Sequence, residues 1–358
     1  MANPFANRPI GVFLPPPNPS GLHLAKILGL KDKHLLISLP QKGGRGLWLK
    51  SGAHLTVSSP ENQKQTETSI AGTVVGRSTK PIPLLVVSLE RDLPLGLLGK
   101  RNTLVLAVAS GKGGTGKTTL ATGLALSLAR EGHRTALIDA DLGGGNVALY
   151  LGLKGNGDLG KVLRGEQPLS RCLVPGPWGL AVTPGLEAAP EASTPSPWQL
   201  AKFCRGLEEL ENDYTCLILD LPAGFSAAVS SLILQAGHLV LVTGEDPASV
   251  LDAYGLLKLA VQSESTPKVH LLMNRVEAPA MALDRAKALQ ETAARFLRLQ
   301  IHFLGAVPAD PMVAEAVRKG VNPVLYRPEH PYSRRIAAYA QSLVGPADNK
   351  TAHGGGMG

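Results

Sequence analysis

The sequence predicts an α/β domain whose mostly parallel sheet is covered by helices on both faces, preceded by a small β-rich, barrel-like domain. Two observations predict it. Beyond Thr103, apolar runs rich in β-branched residues alternate with helical or loop stretches, as buried parallel strands do. Before that point, short strand-like segments separated by turn clusters follow one another at the spacing of a small antiparallel barrel or sandwich. The length agrees with this division. A chain of 358 residues, 44% hydrophobic and 18% charged, can fill two or three domains and is too apolar to be disordered.

In the first domain, residues 1–90, strands are expected at 34–39, 53–58, 69–77 and 84–89. Gln41-Lys42-Gly43-Gly44 and Ser59-Pro60-Glu61-Asn62 supply turns between them. Residues 91–102, RDLPLGLLGKRN, mix Pro, Gly and charge and read as a linker. The second domain, 103–345, opens with a strand at 104–109, a Gly-rich turn and a helix of Ala and Leu at 120–130. Further strands are expected at 135–138, 216–219, 239–242 and 269–273. The Pro-rich stretch 175–197 reads as a surface excursion, and the polar, Gly-rich residues 346–358 as a disordered tail. No internal repeat is evident.

Several classes are excluded. No apolar run approaches the roughly 20 residues of a membrane-spanning helix. The opening Met-Ala-Asn-Pro-Phe lacks a basic-then-apolar export signal. Cys172, Cys204 and Cys216 lie far apart without a CxxC pair, which argues against a disulfide scaffold, a zinc site or an iron–sulfur cluster. The cytoplasm is the expected location. The net charge is +8, and residues 1–100 hold +7 of it, with 12 Lys and Arg against 5 acidic residues. Those charges are scattered and not interleaved with aromatics, so a solvated basic face is the first reading. Nucleic acid, anionic lipid or an acidic protein is the alternative.

The chemistry centres on Gly111-Lys112-Gly113-Gly114-Thr115-Gly116-Lys117-Thr118, which fits G-x-x-x-x-G-K-[ST] between an expected strand and an expected helix. Glycines let successive N–H groups wrap a phosphate chain, and the helix adds its positive end. Lys117 is expected on the β- and γ-phosphates, the Thr118 hydroxyl on Mg²⁺ and Thr119 by the α-phosphate.

The form KGGTGKT resembles the deviant phosphate loop of the MinD/ParA ATPases, and the resemblance extends over nearly all of 103–345. It implies that Lys112 reaches across a dimer to the partner's nucleotide. In Asp139-Ala140-Asp141-Leu142 it implies that Asp141 orients and helps deprotonate the attacking water, with Asp139 at the metal. Asp220-Leu221-Pro222-Ala223-Gly224 matches the family's DxPAG switch, so Asp220 would hold Mg²⁺ through water and the Gly224 N–H would sense the γ-phosphate. Asn274, in Met273-Asn274-Arg275, looks like the adenine-reading asparagine, and Pro308-Ala309-Asp310 like the segment lining the base.

The stretch from Thr243 to Tyr254 resembles the one opening a surface helix in MinD and in the flagellar-number ATPase FlhG, also called FleN or YlxH, and Asp252-Ala253-Tyr254 with Leu256-Leu257-Lys258 looks closer to FlhG. Two departures stand out. Ala148 occupies a place where relatives usually carry an acid, after Gly143-Gly144-Gly145. The basic amphipathic C-terminal helix of MinD is also lacking, and Arg334-Arg335-Ile336-Ala337-Ala338 falls in a terminal helix of the fold itself. Gly52 with Leu55-Thr56-Val57, and Pro83-Leu84-Leu85-Val86-Val87, resemble the β module that precedes PilZ domains in YcgR flagellar brakes. The cyclic-di-GMP pattern of PilZ itself is not found in residues 1–100.

The resemblance implies a Mg²⁺- and ATP-dependent switch that dimerises on ATP, hydrolyses it slowly and regulates flagellar number or placement. Its expected partner is a flagellar or other polar protein, met through the edges and loops of the N-terminal module or through the helix near Asp252. That would place it peripherally at the inner membrane or pole. The alternatives are a ParA-type partitioning ATPase holding DNA and an ATP-binding scaffold that does not hydrolyse.

Overall fold

The computed structural model describes residues 103–344, except 142–144, 154–158, 185–194 and 262–265, and eight strands among the first ninety residues. The expected linker, the tail and Gly143-Gly144 lie outside the described residues.

The N-terminal strands are all antiparallel. β1 (Pro9–Leu14) pairs with β6 (His54–Ser58), and the order continues through β7 (Ile70–Ser78), β8 (Leu84–Leu89) and β3 (His34–Ser38) to β2 (Gly21–Lys31). β2 pairs back onto β1, from Pro9↔Lys26 to Leu14↔Gly21, so six strands close a ring. A short hairpin, β4 (Gln41–Lys42) and β5 (Arg45–Gly46), hangs from β2. Register shifts at Ile27/Gly29 and Val74/Gly76 bend the two longest strands, as a small barrel requires. Ile37, Leu55, Val74 and Val87 are buried. The barrel expectation stands. Among the described residues, closure gives each of the six ring strands a partner on both sides, and the two-residue β5 has a single one.

The second domain is an eight-stranded sheet of order β11-β12-β10-β13-β9-β14-β15-β16. Its centre is β9 (Leu104–Ala109), between β13 (Cys216–Asp220) and β14 (His238–Thr243). β10 (Thr135–Asp139) and β12 (Ala181–Thr183) extend one side, and β15 (Lys268–Val276) and β16 (Ile301–Pro308) the other. All pairs are parallel except the terminal β11 (Val174–Pro175) with β12.

One face packs under α3 (Leu159–Arg164), α4 (Pro197–Leu210), α5 (Ala227–Gln235), α6 (Pro247–Ala260) and α7 (Pro279–Leu297). The other packs under α1 (Lys117–Arg130), α8 (Pro311–Arg318), α9 (Pro323–Tyr326) and α10 (Pro331–Val344), joined by the short α2 (Val147–Tyr150). Both faces are therefore covered, which explains why the central strands are apolar throughout.

Two expectations change in detail. Residues 175–197 are not wholly a surface excursion: β12 inserts beside β10, with Val182 and Thr183 fully buried. Three residues make too short an apolar run to stand out among prolines. β16 is a further strand that the sequence pattern does not announce. Gly305, at φ 149° and packed against Tyr339, breaks its alternation and coincides with a register shift.

At the edge of the sheet remote from the phosphate loop, His238, His270 and His302 sit on three adjacent strands. His238 Nδ1 lies 3.0 Å from His270 Nε2, with ring planes 5° apart and centroids separated by 5.2 Å. Imidazoles are too small for that contact at that separation unless the two nitrogens face each other in nearly one plane, so one ring donates and the other accepts. Burial and the positive charges of the neighbouring histidines and Lys268 hold both rings at a pKa of about 4.

Candidate nucleotide site

The strand β9 ends at Ala109, and residues 110–116 turn the chain into α1 along the carboxyl edge of the sheet, where open α/β sheets take ligands. Gly114 and Gly116 have φ of 79° and 85°, in the left-handed region that glycine enters without strain. Gly111 is glycine for a different reason: a side chain there would strike the backbone of Asp252 on α6. Ser110 Oγ ties the turn by donating to the Lys112 carbonyl at 2.9 Å. The Thr115 hydroxyl is buried without a hydrogen-bond partner.

The lysine at the start of α1 is nearly buried. Lys117 Nζ lies 2.6 Å from Asp220 Oδ1, with side-chain exposures of 8% and 2%. Asp220 also accepts from Thr118. Burial raises its pKa overall, against the lowering effect of Lys117 and these hydrogen bonds.

Asp139 stands beside Asp220 in register on β10. It is fully buried, and its two carboxylate oxygens accept from the backbone N–H groups of Asp141 and Val147, each at 3.2 Å. Burial first, and the charge of Asp220 second, raise its pKa to about 7. A side chain at Gly145 would overlap this carboxylate, so glycine has a packing reason at that position. Asp139 thus holds the backbone that carries Asp141 and starts α2.

The turn from Asp220 to Gly224 is also tied down. The Gly224 N–H, at φ 96°, donates to the Ser110 carbonyl at 3.0 Å. Lys112 extends the other way, its Nζ 3.8 Å from Asp246 Oδ1, both groups half exposed. Asp246 caps α6 by accepting from the Ser249 N–H at 2.9 Å and from its hydroxyl. Those bonds, more than Lys112, lower its pKa. A cavity of about 350 Å³ lies between Lys112–Thr115, the turn from Gly244 to Ser249, and Asn274, Arg275 and Glu277.

The structure therefore brings Lys112, Lys117, Thr118, Thr119, Asp139, Asp141, Asp220, Gly224 and Asn274 to one edge. Pro308 ends β16 in register with Val276 and is not among the residues lining that cavity. Asp310 is turned to another task, capping α8 through the Met312 N–H at 2.8 Å.

Sequence reasoning missed three supports. Glu245 accepts from the N–H groups of Glu277 and Ala278, fixing the entry to α7. Asp246 and Asn322 cap helices whose next residue is proline, a signal that was present in the sequence. Asn322, fully buried, donates from its backbone to Tyr150 of α2 and from its side chain to Thr119 of α1. Among the described residues no three His, Cys, Asp or Glu side chains converge on a metal position. A hard cation needs none here if phosphate oxygens and water complete its shell beside Thr118 and Asp220.

A glycine cradle, an unpartnered hydroxyl inside it, a buried lysine and paired strand-end carboxylates define a nucleotide-binding α/β domain of the phosphate-loop class. Residues 106–324 match the family model of the CobQ/CobB/MinD/ParA nucleotide binding domain, and the chain belongs to that family. Residues 7–89 match the model of the flagellar protein YcgR, so the barrel is a YcgR-like N-terminal module.

Relatives include the antiactivator FleN of Pseudomonas aeruginosa, 34% identical over 215 residues, 60% of this chain and 77% of FleN. Another is the flagellum site-determining protein YlxH of Helicobacter pylori, 28% identical, covering 68% of this chain and 83% of YlxH. Among solved structures, the cell division ATPase MinD of Pyrococcus furiosus superposes with a TM-score of 0.56 at 24% identity, over 66% of this chain and 96% of its own. A MinC:MinD complex from Aquifex aeolicus gives 0.54 at 25%, over 71% and 100%. Among the described residues no helix is long and apolar enough to cross a membrane.

Proposed function

We propose that this chain is an ATP-dependent dimerising switch that hydrolyses ATP slowly and regulates the number or placement of flagella. One observation carries the reading: two loop lysines are each held on a carboxylate of this same chain, Lys117 on Asp220 and Lys112 on Asp246. Each lysine is a cation waiting for a better anion. The phosphate chain takes Lys117 from Asp220. Mg²⁺ brought with the nucleotide would be held by Thr118 and Asp220, with Asp139 behind them, and would neutralise phosphate charge. Asp141, placed by Asp139, orients and deprotonates the attacking water. Gly224 exchanges the Ser110 carbonyl for the γ-phosphate. Lys112 leaves its weak, half-exposed pair for the partner chain's nucleotide. Positioning and charge neutralisation then do most of the catalysis. Asn274, Pro308 and the backbone near Asp310 line the base.

The flagellar process is supported by the names of the relatives, an antiactivator and a flagellum site-determining protein, and by the YcgR-like module. A protein at the flagellar base is the proposed partner.

The test is light scattering of the full chain with Mg-ADP, Mg-ATP and no nucleotide, paired with single-turnover hydrolysis. Dimers confined to Mg-ATP, decaying as ATP is consumed, are expected. A chain that stays monomeric with bound ATP would overturn the switch. Binding and dimerisation without hydrolysis would leave a scaffold in place of an enzyme.

A further inference from the structure

Asn274 touches the phosphate loop directly. Its side chain is buried at 7% exposure, and its Nδ2 donates to the Thr115 carbonyl at 2.7 Å. A side chain at Gly116 would run into the same Nδ2, so loop and amide are packed against each other. The contact is long in range, from the end of β15 past β14 to the turn after β9. Local backbone irregularity accompanies it. The pairing of β15 with β16 slips between Asn274 and Val276, and Arg275 between them adopts φ 59°. A non-glycine residue there is held by its surroundings.

We infer that Asn274 is a positioning residue for the phosphate loop, a role separate from reading the base. The physical reason lies in one peptide plane. The Thr115 carbonyl and the Gly116 N–H belong to the same trans, planar unit and point in opposite directions. Fixing the carbonyl on Asn274 turns the Gly116 N–H the other way, to the side of the loop where the phosphates are proposed to lie. Gly116 at φ 85° has little steric preference of its own, so without Asn274 that plane is free to rotate. The amide oxygen of Asn274 stays available as an acceptor for the adenine amine. One side chain then answers to both ends of the nucleotide. A base presenting a carbonyl in that place would repel Oδ1 and disturb the hold on Thr115.

This inference rests on the proposed nucleotide site, and a ligand without a base separates the two. Affinities for Mg-ATP and for Mg-tripolyphosphate are measured by calorimetry on the full chain, for wild type, Asn274→Ala and Asn274→Leu. The leucine keeps the approximate shape, adds no charge near the phosphates and offers the Thr115 carbonyl no donor, and it covers the case where the alanine chain does not fold. Both variants are expected to bind tripolyphosphate about tenfold more weakly, the scale of losing one buried hydrogen bond, with cooperative melting retained. Unchanged tripolyphosphate affinity in a folded variant, with ATP affinity reduced, would make Asn274 a base reader alone and overturn the inference. A wild-type chain that binds neither ligand would remove the nucleotide site itself.

Discussion

The Lys117 ammonium rests 2.6 Å from Asp220 Oδ1 in a position nearly closed to solvent, so the residue proposed to meet phosphate is already neutralised inside the fold. Such a pair contributes little net stability while intact, because desolvation offsets attraction, and costs several kcal/mol when one member is removed.

Lys117→Ala is therefore expected to abolish Mg-ATP binding and also to lower the stability of the nucleotide-free chain by about 3 kcal/mol, since Asp220 is left buried without its cation. Adding Asp220→Asn should recover most of that stability and none of the binding. Calorimetry and urea unfolding of the two chains read both effects. ATP binding by folded Lys117→Ala would refute the role of the lysine.

Asp141→Ala separates binding from chemistry. The phosphate and metal contacts remain, so Mg-ATP affinity should change little, while single-turnover hydrolysis should fall by roughly two orders of magnitude. The variant should accumulate as a dimer in size-exclusion chromatography. Hydrolysis at the wild-type rate would move the water-positioning role elsewhere.

Lys112→Ala has a different signature. Its exposed pair with Asp246 contributes under about 1 kcal/mol, so melting should be unaltered. ATP should still bind, yet light scattering should show monomers at concentrations where wild type dimerises.

Acid stability should depend on the histidine pair. Both rings have a folded pKa of about 4 against an ordinary value of 6.5, held down first by burial and then by Lys268 and the neighbouring histidines. Between those limits the unfolded chain binds more protons. The penalty is thus absent above pH 6.5, grows as pH falls toward 4 and is complete below it. Allowing for solvent screening of these part-exposed rings, the pair should lose on the order of 2 kcal/mol over that interval. Melting temperature followed from about pH 7 to about pH 4 should drop less steeply in His238→Asn/His270→Gln. Parallel slopes would show that other groups carry the acid response.

The loop and the two strand-end acids were legible because they form linear motifs, each at the end of a buried apolar run that the eye finds easily. What the motif could not reveal is who holds it. Asn274 is marked by its order along the chain, but its bond to Thr115 spans 159 residues of sequence and exists only once β14 separates β9 from β15. Asn322 likewise joins α1 to α2 across the fold. The strands hidden from sequence share another cause. β12 is three residues long, and β16 is partly exposed and interrupted by Gly305, so neither shows a clean period. β2 reads as a mixture, because its glycines and register shift serve curvature more than alternation.

The basic N-terminal module is expected to supply targeting. A chain lacking residues 1–102 should still dimerise with ATP, since the loop, the switches and Asn274 all lie beyond Thr103. Its fluorescence in cells should be diffuse where the full chain concentrates. A truncated chain that still concentrates would assign targeting to the ATPase domain, on the helix that carries Asp252.

The strand β1 is also the one that closes the ring, since it is bonded to β2 on one side and β6 on the other. For genetic dissection this makes the module an all-or-none unit. A deletion stopping just after Leu14 would not trim a dispensable leader. It would unseal the barrel and bare the backbone donors and acceptors of β2 and β6 together, two sticky borders that the closed ring keeps paired. Loss of function in a chain cut there would report clumping, not a lost docking contact. A fusion partner placed before Pro9 leaves both ladders of β1 intact.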